Sequence, residues 1–178
     1  PNQALGRSTN PVGKDPQMVM VRVVADKVTI SIDSSGELLH RRGYRQSVTA
    51  APLRETLAAG ILMLLGWQET SSLTDPMCGS GSFLLEGALL AQNHAPGLNR
   101  SFTFMNWPGF RKGLWALLSG EAKRAAKEVP LAISGSDEST RAVTAAKENC
   151  QRNGFAEQIA IEQWALAEQA VHEGPGLV

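Results

Sequence analysis

Cysteine is scarce in this 178-residue sequence, and the two that occur, Cys78 and Cys150, lie 72 positions apart with no C-x-x-C pair and no histidine at ligand spacing. Neither a disulfide framework nor a zinc site is indicated, so reduced thiols are the expectation. Net charge is also missing. Seventeen Lys and Arg balance seventeen Asp and Glu, which argues against a histone-like basic wrapper, an acidic tail or a polybasic membrane clamp. No apolar run approaches the ~18 residues of a membrane span, and residues 1–14 lack the charged-then-apolar order of a signal peptide. A soluble, cytoplasmic chain is expected. What is present is 43% apolar residues, enough for a packed core at about one domain's length.

The overall neutrality conceals an asymmetry. Residues 1–60 carry eight bases and five acids, whereas residues 61–178 carry nine bases and twelve acids. The basic excess concentrates at Arg41, Arg42, Arg45 and Arg54. After a Pro- and Gly-containing lead-in, two β-branched runs, Met18 to Val24 and Val28 to Asp33, flank Ala25-Asp26-Lys27 and predict a hairpin. Ser34 to Ala51 reads as a polar, basic connection. Pro52 suits a helix first turn, and Leu53, Leu57, Ile61, Leu64 and Leu65 then recur at helical spacing as far as Gly66.

Beyond that helix come a short strand at Ser71 to Thr74, a Gly-rich turn, and a helix over Ser82 to Gln92. Residues 93–108 read as an irregular insertion and Phe110 to Lys127 as a further helix. A strand at Leu131 to Ser134 ends on Gly135-Ser136-Asp137; a helix follows over Ser139 to Asn153, then a strand at Ile159 to Gln163. Strands alternating with helices predict a parallel α/β sheet.

The strongest chemical signal is Asp75-Pro76-Met77-Cys78-Gly79-Ser80-Gly81-Ser82 at a strand-to-helix turn. A phosphate loop needs Lys then Ser or Thr after its last glycine, and Ser82-Phe83 stands there. A dinucleotide fingerprint needs a third glycine where Leu84 stands. What remains is D-x-x-x-G-x-G. Gly79 and Gly81 let a ligand touch the backbone, and Asp75 can receive a cationic group. That suits S-adenosylmethionine, whose carboxylate can meet amides at the helix start, with Asp137 accepting the ribose hydroxyls from the next strand end. The bland alternative is a structural glycine turn with Ser82 capping the helix.

Cys78 has no partner base nearby and reads as a packing residue. His40, His94 and His172 share no ligand spacing, and Trp67, Trp107, Trp115 and Trp164 read as core or interface. Arg41, Arg42 and Arg45 beside Tyr44 could grip an RNA backbone or form a solvated linker; composition leaves both open.

Five motifs in this order extend the reading: Leu39-His40-Arg41-Arg42-Gly43-Tyr44-Arg45, Ala51-Pro52-Leu53-Arg54-Glu55-Thr56-Leu57-Ala58-Ala59, the Asp75 to Ser82 turn, His94-Ala95-Pro96-Gly97-Leu98, and Gly135-Ser136-Asp137. Together they resemble the THUMP-containing RNA guanine-N2 methyltransferases, with bacterial large-subunit ribosomal RNA enzymes the best match. The resemblance runs from about Met18 to the end.

It implies a Rossmann-like class I S-adenosylmethionine-dependent methyltransferase domain over residues 52–178. Before it would come a basic linker at 37–51 and, over 1–36, a hairpin from the end of an RNA-binding THUMP domain. It puts Asp75, Pro76, Met77, Cys78, Gly79, Ser80 and Gly81 on the methionine-binding turn and Asp137 at the ribose. Pro52 and Leu53 fall on a segment closing over the methionine end, and ribosomal RNA is the implied partner.

Two departures matter. Ala165, after Gln163-Trp164, stands where the family has an adenine-binding Asp. The family's catalytic N-P-P-Y motif follows a fourth strand, which would be starting at Gly176-Leu177-Val178, and the chain contains no Asn-Pro-Pro. The expectation is a piece of a longer enzyme that binds cofactor weakly or incompletely, with about three of the family's strands and no turnover of its own. Two rivals are an adenine-N6 methylase sharing the turn and a non-catalytic RNA-binding module.

Overall fold

The computed structural model describes residues 17–45, 53–168 and 176–178. They divide into two units: residues 17–39 with Ser101–Trp115, and the described residues of His40–Arg100 and Ala116–Val178.

In the first unit, β1 (Val19–Val24) and β2 (Lys27–Ile32) pair antiparallel, Val19 opposite Ile32 and Val24 opposite Lys27. The turn is two residues rather than three, because Lys27 joins the ladder. Ala25 and Asp26 both take positive φ, 48° and 59°, the condition under which a two-residue loop matches the ribbon's twist. Every residue of both strands is exposed.

Ser101–Trp115 joins this unit, which no periodicity announces. The Phe104 amide donates to the Ser34 carbonyl at 3.1 Å. Rings of Phe102, Phe104, Phe110 and Trp115 pack stacked or edge-on, with centroids 5.3–5.8 Å apart. Such ring packing has no sequence period, which is why the stretch reads as irregular.

The second unit carries the sheet. Its elements are α1 (Glu55–Leu64), β3 (Ser72–Asp75), α2 (Ser82–Ala91), most of α3 (Lys112–Arg124), β4 (Ile133–Asp137), α4 (Thr140–Arg152), β5 (Ile159–Gln163) and β6 (Gly176–Leu177). The order is β5-β4-β3-β6, all neighbours parallel. Besides three longer strands, the short β6 stands where the fourth was expected to start, pairing Ser72 with Gly176 and Leu73 with Leu177. The chain thus steps outward from β3 through β4 to β5 and then returns to the opposite side of β3. That reversal is a topological switch point, and its crevice opens at the carboxyl end of β3.

One strand corrects its sequence reading. β4 does not stop at Ser134; Gly135, Ser136 and Asp137 stay in the ladder opposite Ile161, Glu162 and Gln163. Packing holds it there. A Cβ on Gly135 would lie 2.5 Å from Leu84 Cδ1 and 3.2 Å from Cys78 Cβ, so glycine here admits a close approach by α2 and the turn rather than a break. Gly135→Ala is therefore expected to cost about 1–3 kcal/mol through overpacking, read as a lower urea midpoint; an unchanged midpoint would mean that Leu84 has room to swing aside.

The core gathers Leu62, Leu73, Leu84, Leu85, Ile133, Val143, Ala146, Phe155, Ile159 and Ile161 around the sheet, with both cysteines among them. Burial pushes the Cys78 and Cys150 thiols up to about 12, so both behave as small apolar side chains. Among the described residues no helix is long and apolar enough to cross a membrane.

Candidate functional site

The glycine turn lies where the strand order reverses. Asp75 closes β3, and Gly79 and Gly81 take φ of 55° and 83°, left-handed backbone that side chains disfavour. Almost every residue of the turn is tied to something. Asp75 Oδ1 accepts from the Met77 amide at 3.2 Å. The Pro76 carbonyl accepts from Ser136 Oγ at 3.4 Å, and the Cys78 amide donates to the Ser136 carbonyl at 2.8 Å. Gly79 N–H donates to Asp137 Oδ2 at 3.0 Å. The Ser80 carbonyl accepts from Asn149 Nδ2 at 3.1 Å, and Gly81 N–H returns to the Cys78 carbonyl at 2.8 Å.

Asp137, the last residue of β4, also accepts from the Ser139 amide through Oδ1 at 2.9 Å. Two carboxylates on adjacent strand ends thus flank one turn. Burial holds the Asp75 carboxyl above its ordinary value; the Met77 amide opposes this and the charge of Asp137 adds to it.

A raised acid binds its proton more tightly in the folded chain than in the unfolded one. Between the ordinary and the raised value the native state holds more protons, so stability falls as pH rises through that window. Asp75→Asn should flatten that part of the curve in denaturant titrations run from the ordinary carboxylate range upward. A slope left intact by the substitution would show that Asp75 titrates normally.

At the start of α2 the residue Gly81 brings no side-chain cap, so amides of the first turn, which have no intrahelical acceptor, are open to an anionic group. Ser82 does not cap the helix either. Its hydroxyl donates to the Leu53 carbonyl at 3.3 Å and accepts from Arg45 Nη2 at 2.6 Å. Leu53 thereby sits beside the turn. Pro52 lies outside the described residues. Met77 is exposed, whereas Cys78 and Ser80 are buried.

The basic cluster does something the sequence did not foretell. Tyr44, the chain's single tyrosine, is buried, and its hydroxyl donates to Glu86 Oε1 at 2.5 Å. Arg42 Nε lies 3.2 Å from the same oxygen, and Arg45 Nε lies 3.5 Å from Glu55 Oε1. Three of the four residues considered for RNA, Arg42, Tyr44 and Arg45, are thus turned inward, and Arg41 is the exposed one. A solvated linker is equally ruled out at these three positions.

The residues missed in the sequence are buried polar groups on the helices: Glu55 and Glu86, whose carboxylates face Arg45 and Arg42, and Asn149, whose amide donates to the Ser80 carbonyl. Each is a polar side chain on an otherwise apolar helix face, and that interruption was the available signal.

This fold and switch-point turn define a Rossmann-like α/β domain built to hold a cofactor at its strand ends. Residues 42–174 match the model of the RMKL-like methyltransferase-domain family, and the chain belongs to that family. It is 44% identical over 174 residues to the ribosomal RNA large subunit methyltransferase K/L of Cellvibrio japonicus, covering 92% of this chain and 23% of the relative. Among solved structures it is similar to SMU.472 in complex with SAH (S-adenosylhomocysteine), with a TM-score of 0.84, 34% identity, and coverage of 90% of this chain and 42% of that one. It is similar also to a predicted N6-adenine-specific DNA methylase from Listeria monocytogenes, with a TM-score of 0.82, 38% identity, and coverage of 89% and 42%. The chain spans about a quarter of the length of the curated K/L relatives it matches.

Proposed function

We propose that the chain is the cofactor-holding part of an S-adenosylmethionine-dependent methyltransferase that modifies guanine N2 in large-subunit ribosomal RNA. The observation that carries this reading is the pairing of Asp75 and Asp137 on adjacent strand ends around a pinned glycine turn whose following helix is uncapped. The donor set fits the cofactor chemically: open amides for a carboxylate, Asp75 for an ammonium, and Asp137 for ribose hydroxyls. Gly79, Ser80 and Gly81 give backbone contact; Pro76, Met77 and Cys78 shape the turn; Leu53 lies toward the amino-acid end.

When bound, the cofactor supplies an electrophilic methyl group on a sulfonium. The residues assigned here bind and orient, and none is assigned to the reacting amino group. In the same reading, residues 1–36 end an RNA-binding THUMP domain, 37–51 link it, and 52–178 form methyltransferase domain; Arg41 is the one of the four RNA candidates that is exposed. The ribosomal RNA substrate is favoured over an adenine-N6 target by the K/L name of the 44%-identical relative.

Calorimetric titration with S-adenosylhomocysteine tests the reading. Saturable one-to-one binding is expected, with weakened binding in Asp75→Ala; an absence of binding to the folded wild-type chain would refute the cofactor assignment.

A further inference from the structure

Arg45 occupies a position that neither a phosphate contact nor a solvated linker explains. Its side chain is 7% exposed, and a single nitrogen, Nη2, donates to both the Leu53 carbonyl and Ser82 Oγ at 2.6 Å. Ser82 Oγ in turn donates to the Leu53 carbonyl at 3.3 Å, which closes a triangle of three polar atoms. Nε of the same guanidinium lies 3.5 Å from Glu55 Oε1.

One side chain therefore holds three places: Leu53 just before α1, Glu55 at the first residue of α1, and Ser82 at the first residue of α2. Ser82 directly follows Gly81, and the amides of that first turn are the ones left without a side-chain cap. The distance from Leu53 to these amides is thus set through Arg45. Only a planar fork that donates from one nitrogen in two directions while a second faces a carboxylate meets this geometry, and a lysine ammonium does not reproduce it.

We propose that Arg45 is a positioning residue for the amino-acid end of the bound cofactor: it fixes Leu53 against the start of α2, and so sets the affinity for the part of the ligand that meets those amides. This rests on the cofactor reading above. The nucleoside end, held from Asp137 on β4, lies away from Arg45, whose partners among the described residues are Leu53, Glu55 and Ser82. The two ends of the ligand should therefore respond differently to loss of the guanidinium.

The test compares S-adenosylhomocysteine with adenosine, which shares the nucleoside and lacks the amino acid. In Arg45→Gln, S-adenosylhomocysteine affinity is expected to fall about tenfold or more, as for a lost hydrogen bond to a charged group, while adenosine affinity stays within about twofold. Arg45→Lys should fall between Arg45→Gln and wild type. A general loosening of the fold would weaken both ligands alike, and that result, or no change in either, would overturn the proposal. Should Arg45→Gln not fold by circular dichroism, Ser82→Ala removes the hydroxyl that accepts from Arg45 and donates to Leu53 while leaving the Arg45–Leu53 bond, and the same selective loss, about threefold, is expected of it; a parallel loss or none overturns the proposal equally. A wild-type chain that binds neither ligand would remove the cofactor reading itself, and this is seen before any variant is made.

Discussion

Glu86→Ala is expected to destabilise the chain by about 3–5 kcal/mol, the largest stability loss foreseen for any single substitution considered, because it strands buried partners. Glu86 is 1% exposed in the middle of α2. Its Oε1 accepts the Tyr44 hydroxyl at 2.5 Å and faces Arg42 Nε at 3.2 Å. Truncation leaves a phenol hydroxyl and a guanidinium in a low-dielectric interior without the oxygen both face, and it leaves a void where the side chain was.

Glu86→Gln separates charge from geometry. The amide oxygen can still accept from Tyr44, and the cost of burying an anion disappears. Burial already holds the Glu86 carboxyl above its ordinary value, against the Tyr44 hydrogen bond and the Arg42 charge that lower it. Glu86→Gln should accordingly cost less than about half of what Glu86→Ala costs. Tyr44→Phe, which removes one donor, should cost about 1 kcal/mol on its own and much less in the Glu86→Ala background, since the two residues share one bond. Urea denaturation of wild type and the four variants measures all of this. Additive losses would show that the hydroxyl and carboxylate do not depend on each other.

The sheet, its helices and the glycine turn were legible because each leaves a local trace: β-branched runs, apolar residues at three- and four-residue spacing, and glycines at a strand end. Ile159–Gln163 is a strand with the boundaries its sequence predicts. Gly135 misled because a glycine marks either a turn or a tight contact, and only the neighbouring Leu84 decides between them. The cluster at Arg41 to Arg45 misled for a different reason. Positive charge near a tyrosine is written identically whether it faces solvent or a carboxylate forty residues away, and Glu86 lies 42 positions from Tyr44. Nor could spacing reveal that Asn149 would hold the Ser80 carbonyl, because that contact joins two elements 69 positions apart. Local pattern fixed what each segment is, whereas the partners of buried polar groups depended on how the segments pack.

Asp137→Ala should produce the largest loss of ligand affinity. The carboxylate has two separate duties: Oδ2 holds the Gly79 amide at 3.0 Å, and Oδ1 holds the Ser139 amide at 2.9 Å, one residue before α4 begins. In the cofactor reading it also accepts the ribose hydroxyls. Removing it withdraws a charged acceptor from the ligand, a loss of about tenfold to a hundredfold, and frees the turn that presents the remaining contacts, so the upper end of that range is expected. Asp137→Asn tests whether shape alone suffices. An amide offers one oxygen where two N–H donors now point, and its NH2 group would face the other donor, so Asn should recover little of the affinity. Because the ribose belongs to the nucleoside, adenosine and S-adenosylhomocysteine should weaken together in Asp137→Ala, whereas Arg45→Gln should weaken only the latter. Measured side by side, the two variants map the crevice from opposite ends: a loss of adenosine affinity in an Asp137→Ala chain that keeps its wild-type urea midpoint supports a ribose at β4, and an adenosine affinity untouched by Asp137→Ala would move the nucleoside elsewhere.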